Sequence, residues 1–197
     1  MTRATVVALL AAALLAGCGE DEPAQLDERR PINGRLLAAA YENDVAGARR
    51  LIEDGADVNA KDQSQQSAYL IATSEVGDDP RLLELTLDAG ADVGARDGYD
   101  GTGLIRAAER GFSTIVARLL ETEIDVDHVN RLGWTALLEA VILGEGGPAH
   151  LRTVRLLMES GADVNVPDES GTTALTHARR RGFAAIERIL LAAGGRP

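Results

Sequence analysis

The chain has few of the residues that cross-link a protein or carry its chemistry. Among its 197 residues are one cysteine, Cys18, three histidines and six aromatic residues. A single cysteine excludes an internal disulfide. The histidines, His128, His150 and His177, lack a cysteine partner and a spacing such as H-E-x-x-H, so we interpret them as isolated surface residues. We expect no metal site, no catalytic residues and no cofactor.

Basic residues are also scarce compared with acidic ones. The chain has 20 lysines and arginines against 31 aspartates and glutamates, which gives a net charge of −11 at pH 7. A nucleic-acid partner is excluded on this ground, because binding the phosphate backbone needs a basic face. A cationic protein or peptide matches the charge better, since complementary charge speeds encounter. Alternatively, the acidity only keeps an exported protein soluble.

No hydrophobic run is long enough to cross a membrane as a permanent helix. A stretch of ten apolar residues, from Val6 to Leu15, follows the positive charge of Arg3. A run of this length predicts a secretion signal instead. The residues Leu15-Ala16-Gly17-Cys18 at its end resemble a bacterial lipobox. The resemblance implies a signal peptide over residues 1–17 and a lipidated Cys18 as the new N-terminus. The alternative is an ordinary signal peptide with an accidental cysteine.

The lipobox resemblance has consequences for location. Two or more acyl chains, such as palmitate, would anchor the protein stably without spanning the bilayer. The next segment, residues 18–32, is acidic and contains Pro23 and Pro31, and it has no apolar period. It is therefore predicted to be a disordered linker. We expect an exported protein on the cell membrane or outer membrane, facing the periplasm or cell exterior and touching the membrane only through its lipid.

What the chain does have is a phrase that recurs. Gly-Ala-Asp-Val-Asn at 55–59 returns at 161–165 and, with glycine in the last place, at 90–94. A weaker copy lies at 123–127 and a partial one at Gly194-Gly195. The spacings are 35, 33, 38 and 33 residues. A period near 33 residues indicates an array of one supersecondary unit, and such an array has no obvious place for a catalytic centre.

The residues before each phrase also repeat. The segments Thr102 to Ala107, Gly133 to Ala140 and Gly171 to Ala178 share a small or threonine residue followed by a leucine-rich helix pattern. Together with the recurring phrase, they resemble the ankyrin-repeat family, whose unit of a β-turn and two antiparallel helices carries T-P-L-H-x-A. The resemblance implies an all-α repeat solenoid over residues 33–197, with five repeats at about 33–60, 61–95, 96–128, 129–166 and 167–195.

The repeated residue types have local physical reasons. Glycine after each second helix, and Gly111 and Gly182 between helices, suit left-handed caps, and Asn43 takes that role in the first repeat. Thr102, Thr135 and Thr173 are expected to cap the first helices. Apolar pairs on the second helices should be buried by stacking. These pairs are Leu51-Ile52, Leu119-Leu120, Leu156-Leu157 and Leu190-Leu191.

The chain departs from the family pattern in two ways. No repeat has proline after the threonine position or histidine at the family's histidine position, so we expect a softer array. Two connections between helices are lengthened, at 76–80 and 144–150. Asp79 and Pro148 are expected to start the helices that follow them. Inserted loops can carry function, and solenoids also tolerate them freely.

The resemblance implies that a partner contacts the turn tips and the exposed ends of the first helices, on the concave face. We predict that Tyr99, Leu132, Trp134, Ile142 and Leu143 lie together there, because exposed tyrosine and tryptophan are frequent interface anchors. The alternative is that Trp134 folds back on a neighbouring turn, with Ile142 and Leu143 beneath the next loop. The remaining predicted contact residues are charged: Glu109, Arg110 and Arg131.

The sequence therefore predicts a lipid-anchored protein-interaction module that binds another protein of the cell envelope, acts as a monomer and is not an enzyme. An immunity-type inhibitor of a toxin or hydrolase is an alternative, and so is a purely structural envelope component. An enzyme would need a convergent set of titratable residues, and the sequence pattern indicates none.

Overall fold

The structure is a computed structural model that describes residues 31–197. The predicted signal peptide, Cys18 and nearly all of the predicted linker lie outside the described residues. Two isolated β-bridges join Arg96 to Thr102 and Pro167 to Thr173. The helices of the described range are α1 (Ile32–Tyr41), α2 (Val45–Glu53), α3 (Ala68–Ser74), α4 (Arg81–Asp88), α5 (Gly103–Arg110), α6 (Ser113–Leu120), α7 (Ala136–Ile142), α8 (Pro148–Glu159), α9 (Ala174–Arg180) and α10 (Ala184–Ala192).

The helices form consecutive pairs that stack along one direction. Each odd-numbered first helix packs against the even-numbered second helix that follows it. The first helices also pack in series, α1 on α3, α3 on α5, α5 on α7 and α7 on α9. Such nearest-neighbour stacking makes a solenoid, so the predicted fold class is confirmed. Helix α1 begins at Ile32, one residue inside the segment predicted as linker.

The core runs along the array between the helix layers. Leu51, Leu119, Leu157 and Leu190 of the second helices are buried, as predicted. Leu191 was also predicted to be buried, and that prediction is wrong, because 45% of it is exposed. Helix α10 has no helix stacked on its outer side within residues 31–197, so nothing covers this leucine.

The predicted helix caps are confirmed. The hydroxyl oxygens of Thr102, Thr135 and Thr173 accept hydrogen bonds from the backbone N–H three residues later, at 3.3–3.4 Å. Ser67 does the same for α3. Each bond satisfies one of the free N–H groups in a helix's first turn. The predicted left-handed positions also hold, with φ of 69° at Gly111 and 54° at Asn43.

The last residue of the recurring phrase ties one repeat to the next. The Oδ1 atom of Asn59 accepts from the backbone N–H of Asp92 at 2.8 Å, and its Nδ2 donates to the carbonyl of Gly90 at 3.1 Å. Asn165 makes the equivalent pair with Arg196 and Gly194. In the second repeat this position is Gly94, which has no side chain and cannot make these bonds. The hydrogen-bonded ladder is therefore interrupted between the second and third repeats.

Residues in or next to the two lengthened connections contact the third helix pair, α5 and α6. Asp78 lies in the first of them and accepts from the backbone N–H groups of Thr114 and Ile115, at 2.8 and 3.0 Å. It thereby caps α6, whose own N-cap residue, Phe112, offers no side-chain bond. Asp79, the predicted cap, accepts from the backbone N–H of Arg81, the first residue of α4, and also binds its guanidinium. Pro148 begins α8, as predicted.

The second lengthened connection also leads to a contact with the third helix pair, α5 and α6. The structure places His150, the last residue of the predicted connection, in the first turn of α8, with Nε2 2.9 Å from the carbonyl oxygen of Glu109 in the last turn of α5. The imidazole also fills the space beside Gly111 and Gly144, where a Cβ atom would lie within 2.9 Å of the ring. His150 is buried, so the interpretation of all three histidines as isolated surface residues is wrong.

Candidate partner-binding surface

Each of the last four repeats carries a turn built around one aspartate or asparagine. The Oδ1 atom of this residue accepts backbone N–H bonds from the residues two and four positions later, at 2.8–3.1 Å. One oxygen therefore closes the whole turn, which is the local competition that favours aspartate and asparagine in turns. The four residues are Asp62, Asp97, Asn130 and Asp168.

In three of the four turns, the second side-chain atom of the turn residue faces a residue of the first helix, nine positions later in the chain. Asp97 lies 3.6 Å from the guanidinium of Arg106, measured from Oδ2 to Nε. Asp168 Oδ2 lies 2.7 Å from His177 Nε2. In the fourth repeat the helix residue is an acid, Glu139, and the turn residue is Asn130, whose Nδ2 donates to Glu139 Oε1 at 2.8 Å. The exchange of aspartate for asparagine avoids placing two carboxylates together.

Hydrogen bonds stabilise the charged form of Asp168. The Ser170 hydroxyl is the largest cause, and together with the Thr172 N–H and His177 it holds the pKa of Asp168 below its usual range. The turn of the fifth repeat is thus closed by a carboxylate rather than a carboxylic acid at neutral pH.

Glu139 is the buried member of this series. Only 4% of the residue is exposed, and its Oε2 atom has no hydrogen-bond partner. Burial raises its pKa to about 7, and Glu109 and Asp97 act in the same direction, while Asn130 and Arg106 oppose the shift. A carboxyl group that is half ionised near neutral pH is uncommon away from functional sites.

The carboxylates around Glu139 converge on one cation. Arg106 lies 3.0 Å from Glu109, 3.6 Å from Asp97 and 3.8 Å from Glu75. We call these residues, with Glu139, the central acidic cluster: Glu75, Asp97, Arg106, Glu109 and Glu139. The sequence analysis found no convergent titratable set, so this cluster was missed. The sequence did contain a signal for it. Asn130 replaces the aspartate found in the other turns, and Glu139, nine residues later, is the only acid at the equivalent position of a first helix.

The predicted contact residues of the turn tips lie side by side. The backbone N–H of Arg131 donates to the carbonyl of Tyr99 at 3.0 Å, and its guanidinium donates to the carbonyl of Gly98 at 2.9 Å. Tyr99 is 65% exposed and Leu132 is 45% exposed, and Val129 beside them is also exposed. We call Tyr99, Val129, Arg131 and Leu132 the tip surface.

The predicted five-residue apolar cluster does not form as one patch. Trp134 is only partly exposed and packs against the core. Ile142 is partly buried as well, and Leu143 is exposed. Ile142 is the last residue of α7 and Leu143 follows it, about 10 Å of helix rise from the turn. Sequence order could not show this, because the helix separates residues that share one repeat.

The two charged residues predicted at the end of α5 have different surroundings. Glu109 is partly buried by its ion pair with Arg106 and belongs to the central acidic cluster. Arg110 is exposed at the last position of the helix. Of the eight predicted contact residues, three therefore belong to the tip surface and one to the central acidic cluster.

The described residues offer neither a metal-binding cluster nor a membrane-spanning helix. Within residues 31–197, no group of three or more histidine, cysteine, aspartate or glutamate side chains has the arrangement to hold a metal ion. In the same part of the chain, no helix combines the length and apolar character needed to cross a bilayer.

Comparison with known proteins identifies the family. A model of ankyrin repeats in three copies matches residues 69–168, one of ankyrin repeats in many copies matches 148–191, and a single-repeat model matches 36–63. The chain belongs to the ankyrin-repeat family. Ankyrin repeats generally mediate protein–protein interaction and are typically not enzymes, and no catalytic family matches.

Individual relatives agree with this assignment. The putative ankyrin repeat protein YahD of Escherichia coli (strain K12) is 41% identical over 159 residues, which is 80% of this chain and 78% of the relative. Human ankyrin repeat and SOCS box protein 6 is 32% identical over 149 residues, so the chain spans only 35% of that protein. The crystal structure of an ankyrin repeat domain from Acinetobacter baumannii AYE is 43% identical, with a TM-score of 0.78 over 88% of this chain and 91% of that one.

Proposed function

We propose that this ankyrin-repeat protein captures another protein of the cell envelope through the concave face, while a lipid on Cys18 tethers it to a membrane. The observation that carries the binding proposal is the tip surface. Tyr99 is 65% exposed and Leu132 is 45% exposed, and the two lie on adjacent, hydrogen-bonded turns. Exposed apolar groups held rigidly side by side are typical of interaction sites.

The turns that carry these side chains are suited to binding because they are fixed before a partner arrives. Asp97 and Asn130 each close their turn with two hydrogen bonds, and Arg131 joins the turns to each other. A preorganised surface loses less conformational entropy on binding than a mobile loop does. The same rigidity supports capture of a folded protein surface.

A photoreactive residue at position 99, in cells that express the full chain, tests the binding proposal. We expect a discrete crosslinked species that identifies a partner. The matched control carries the same photoreactive residue at Arg155, an exposed position on the second helix α8. Equal products from both positions would contradict the proposal. Products that contain only this chain would favour the structural-component alternative. A captured toxin or hydrolase would define the protein as its inhibitor.

The tether is tested separately, because it rests on Leu15 to Cys18 alone. We expect an alkyne fatty-acid probe to label the wild-type protein and to leave a Cys18→Ser variant unlabelled. The variant should also leave the membrane fraction. Equal labelling of both proteins would exclude lipidation at Cys18, and it would leave the binding proposal unaffected.

A further inference from the structure

The central acidic cluster has more negative charge than its own residues can neutralise. Four carboxyl groups surround Arg106, which is the only cation in the described chain that pairs with them. Glu139 is the member left over, since its Oε1 binds a neutral amide and its buried Oε2 binds nothing. Buried polar atoms are nearly always hydrogen-bonded, so each exception in a native structure requires a reason.

We propose that the central acidic cluster receives a cationic side chain, lysine or arginine, from the protein partner. This inference rests on the proposed binding function and names the chemistry that the partner must present. Glu75 and Glu109 keep part of their carboxylates open to solvent, so an incoming ammonium or guanidinium group can reach them. Glu139 lies beneath and supplies the further negative charge.

The position of the cluster fits this role. Arg106 and Glu139 occupy the same place on α5 and α7, which pack against each other in the middle of the array. The tip surface belongs to the same two repeats, on the turns that directly precede these helices. An apolar contact at the tips and a cation about one helix length away would together define the register of the partner.

Binding of a cation here should be linked to a proton. A positive charge close to Glu139 favours its ionised form, so binding should lower its pKa and release a proton. Affinity should therefore increase as the pH rises through 7. A decrease of about one unit in the pKa on binding corresponds to about tenfold in affinity.

Other charged groups also surround Glu139. Arg106 and Glu109 lie on α5, and Asp97 lies in the preceding turn. On the neighbouring helices, His177 of α9 is bound by Asp168, and His150 of α8 contacts the Glu109 carbonyl. Arg181, after α9, donates to the carbonyl of Val141. The test must therefore follow Glu139 itself.

The test uses a hexalysine peptide and the intact chain, which contains residues 31–197. The carboxyl carbon of Glu139 is titrated by ¹³C NMR with and without the peptide. We expect its pKa to fall when the peptide is present. Affinity is then measured at pH 6 and pH 8 for the wild type, Glu139→Gln and Glu145→Gln. Glu145 is exposed in the connection after α7, so its variant removes the same charge elsewhere.

Wild type and Glu145→Gln should bind several-fold more tightly at pH 8 than at pH 6, and Glu139→Gln should lose most of that dependence. An unmoved Glu139 pKa would overturn the inference, even if a variant failed to fold. Equal pH dependence in the two variants would also overturn it. Neither result would change the crosslink expected from position 99, so failure of this inference is distinguishable from failure of the proposed function.

Discussion

At the scale of single residues, several unusual choices in this chain depend on a second residue nearby. Tyr69 stands where the other repeats have leucine, and it is fully buried with its hydroxyl donating to the carbonyl of Val93 at 3.2 Å. Gly103 begins α5 opposite this ring, where a Cβ atom would lie 2.8 Å from the tyrosine oxygen. The larger side chain is accommodated because its neighbour has none.

Gly103→Ala should therefore destabilise the protein, although alanine is normally the better helix former. The added methyl group overlaps Tyr69 and Thr73, and overpacking of this kind costs about 1–3 kcal/mol. Urea unfolding measures the change. In the background of Tyr69→Leu the same substitution should cost less, which a double-mutant cycle would show as a favourable coupling energy. Equal costs in both backgrounds would contradict the pairing.

Glu139 should make stability fall as the pH rises. Its pKa is raised in the folded protein to about 7, so its contribution is complete below the unfolded pKa of 4.5 and is lost through pH 7. Glu139→Gln should match the wild type near pH 5 and exceed it by about 2–3 kcal/mol near pH 9. Urea unfolding across this range, with Glu145→Gln as control, measures the difference. Parallel stability curves for wild type and Glu139→Gln would contradict the assignment.

At the scale of elements, contacts between repeats determine how stable the junction between neighbouring repeats is. Sequence pattern alone predicted the caps and left-handed turns, because these depend on residues within one repeat. It could not predict that Asp78 caps the helix of another repeat, or that His150 fills space beside Gly111. Both contacts join residues more than 35 positions apart, and no local pattern marks them.

Asp78→Ala should destabilise the third helix pair. The substitution removes two backbone N–H acceptors at the start of α6, and loss of such a cap costs about 0.5–2 kcal/mol. Hydrogen exchange of the Thr114 and Ile115 amides should increase with it, while exchange in α10 should not. Glu145→Ala, which removes an exposed acid from the other lengthened connection, serves as the control. Unchanged exchange at Thr114 would show that the cap contributes nothing.

Gly94→Asn should strengthen the junction between the second and third repeats. Gly94 does not have a positive φ, and an asparagine there could make the bonds that Asn59 and Asn165 make. A hydrogen bond of this kind contributes about 1 kcal/mol. Gly94→Ala separates this gain from the backbone entropy that any side chain removes. Thermal unfolding should rank the asparagine variant above the alanine variant, and the reverse order would contradict the ladder.

At the scale of the whole molecule, the recurring phrase was enough to predict a helical solenoid, since a 33-residue period leaves few alternatives. The binding surface was less predictable. Tyr99 and Leu132 are exposed on adjacent turns as expected, whereas Trp134 packs inward and Leu143 lies at the other end of α7. Aligning the repeats shows where each residue lies along the repeat unit. It does not show how deeply the side chain is buried, because burial depends on the neighbouring side chains.

The central claim is that the tip surface captures a protein partner. It is tested most directly by calorimetric titration of the partner identified from position 99 against three forms of this chain. Tyr99→Ala with Leu132→Ala should weaken binding by about a hundredfold or more, since anchor residues contribute about 2 kcal/mol each. Leu191→Ala with Arg155→Ala, exposed positions on α10 and α8, should change affinity by less than about twofold. Equal affinities for the two double variants would contradict the account.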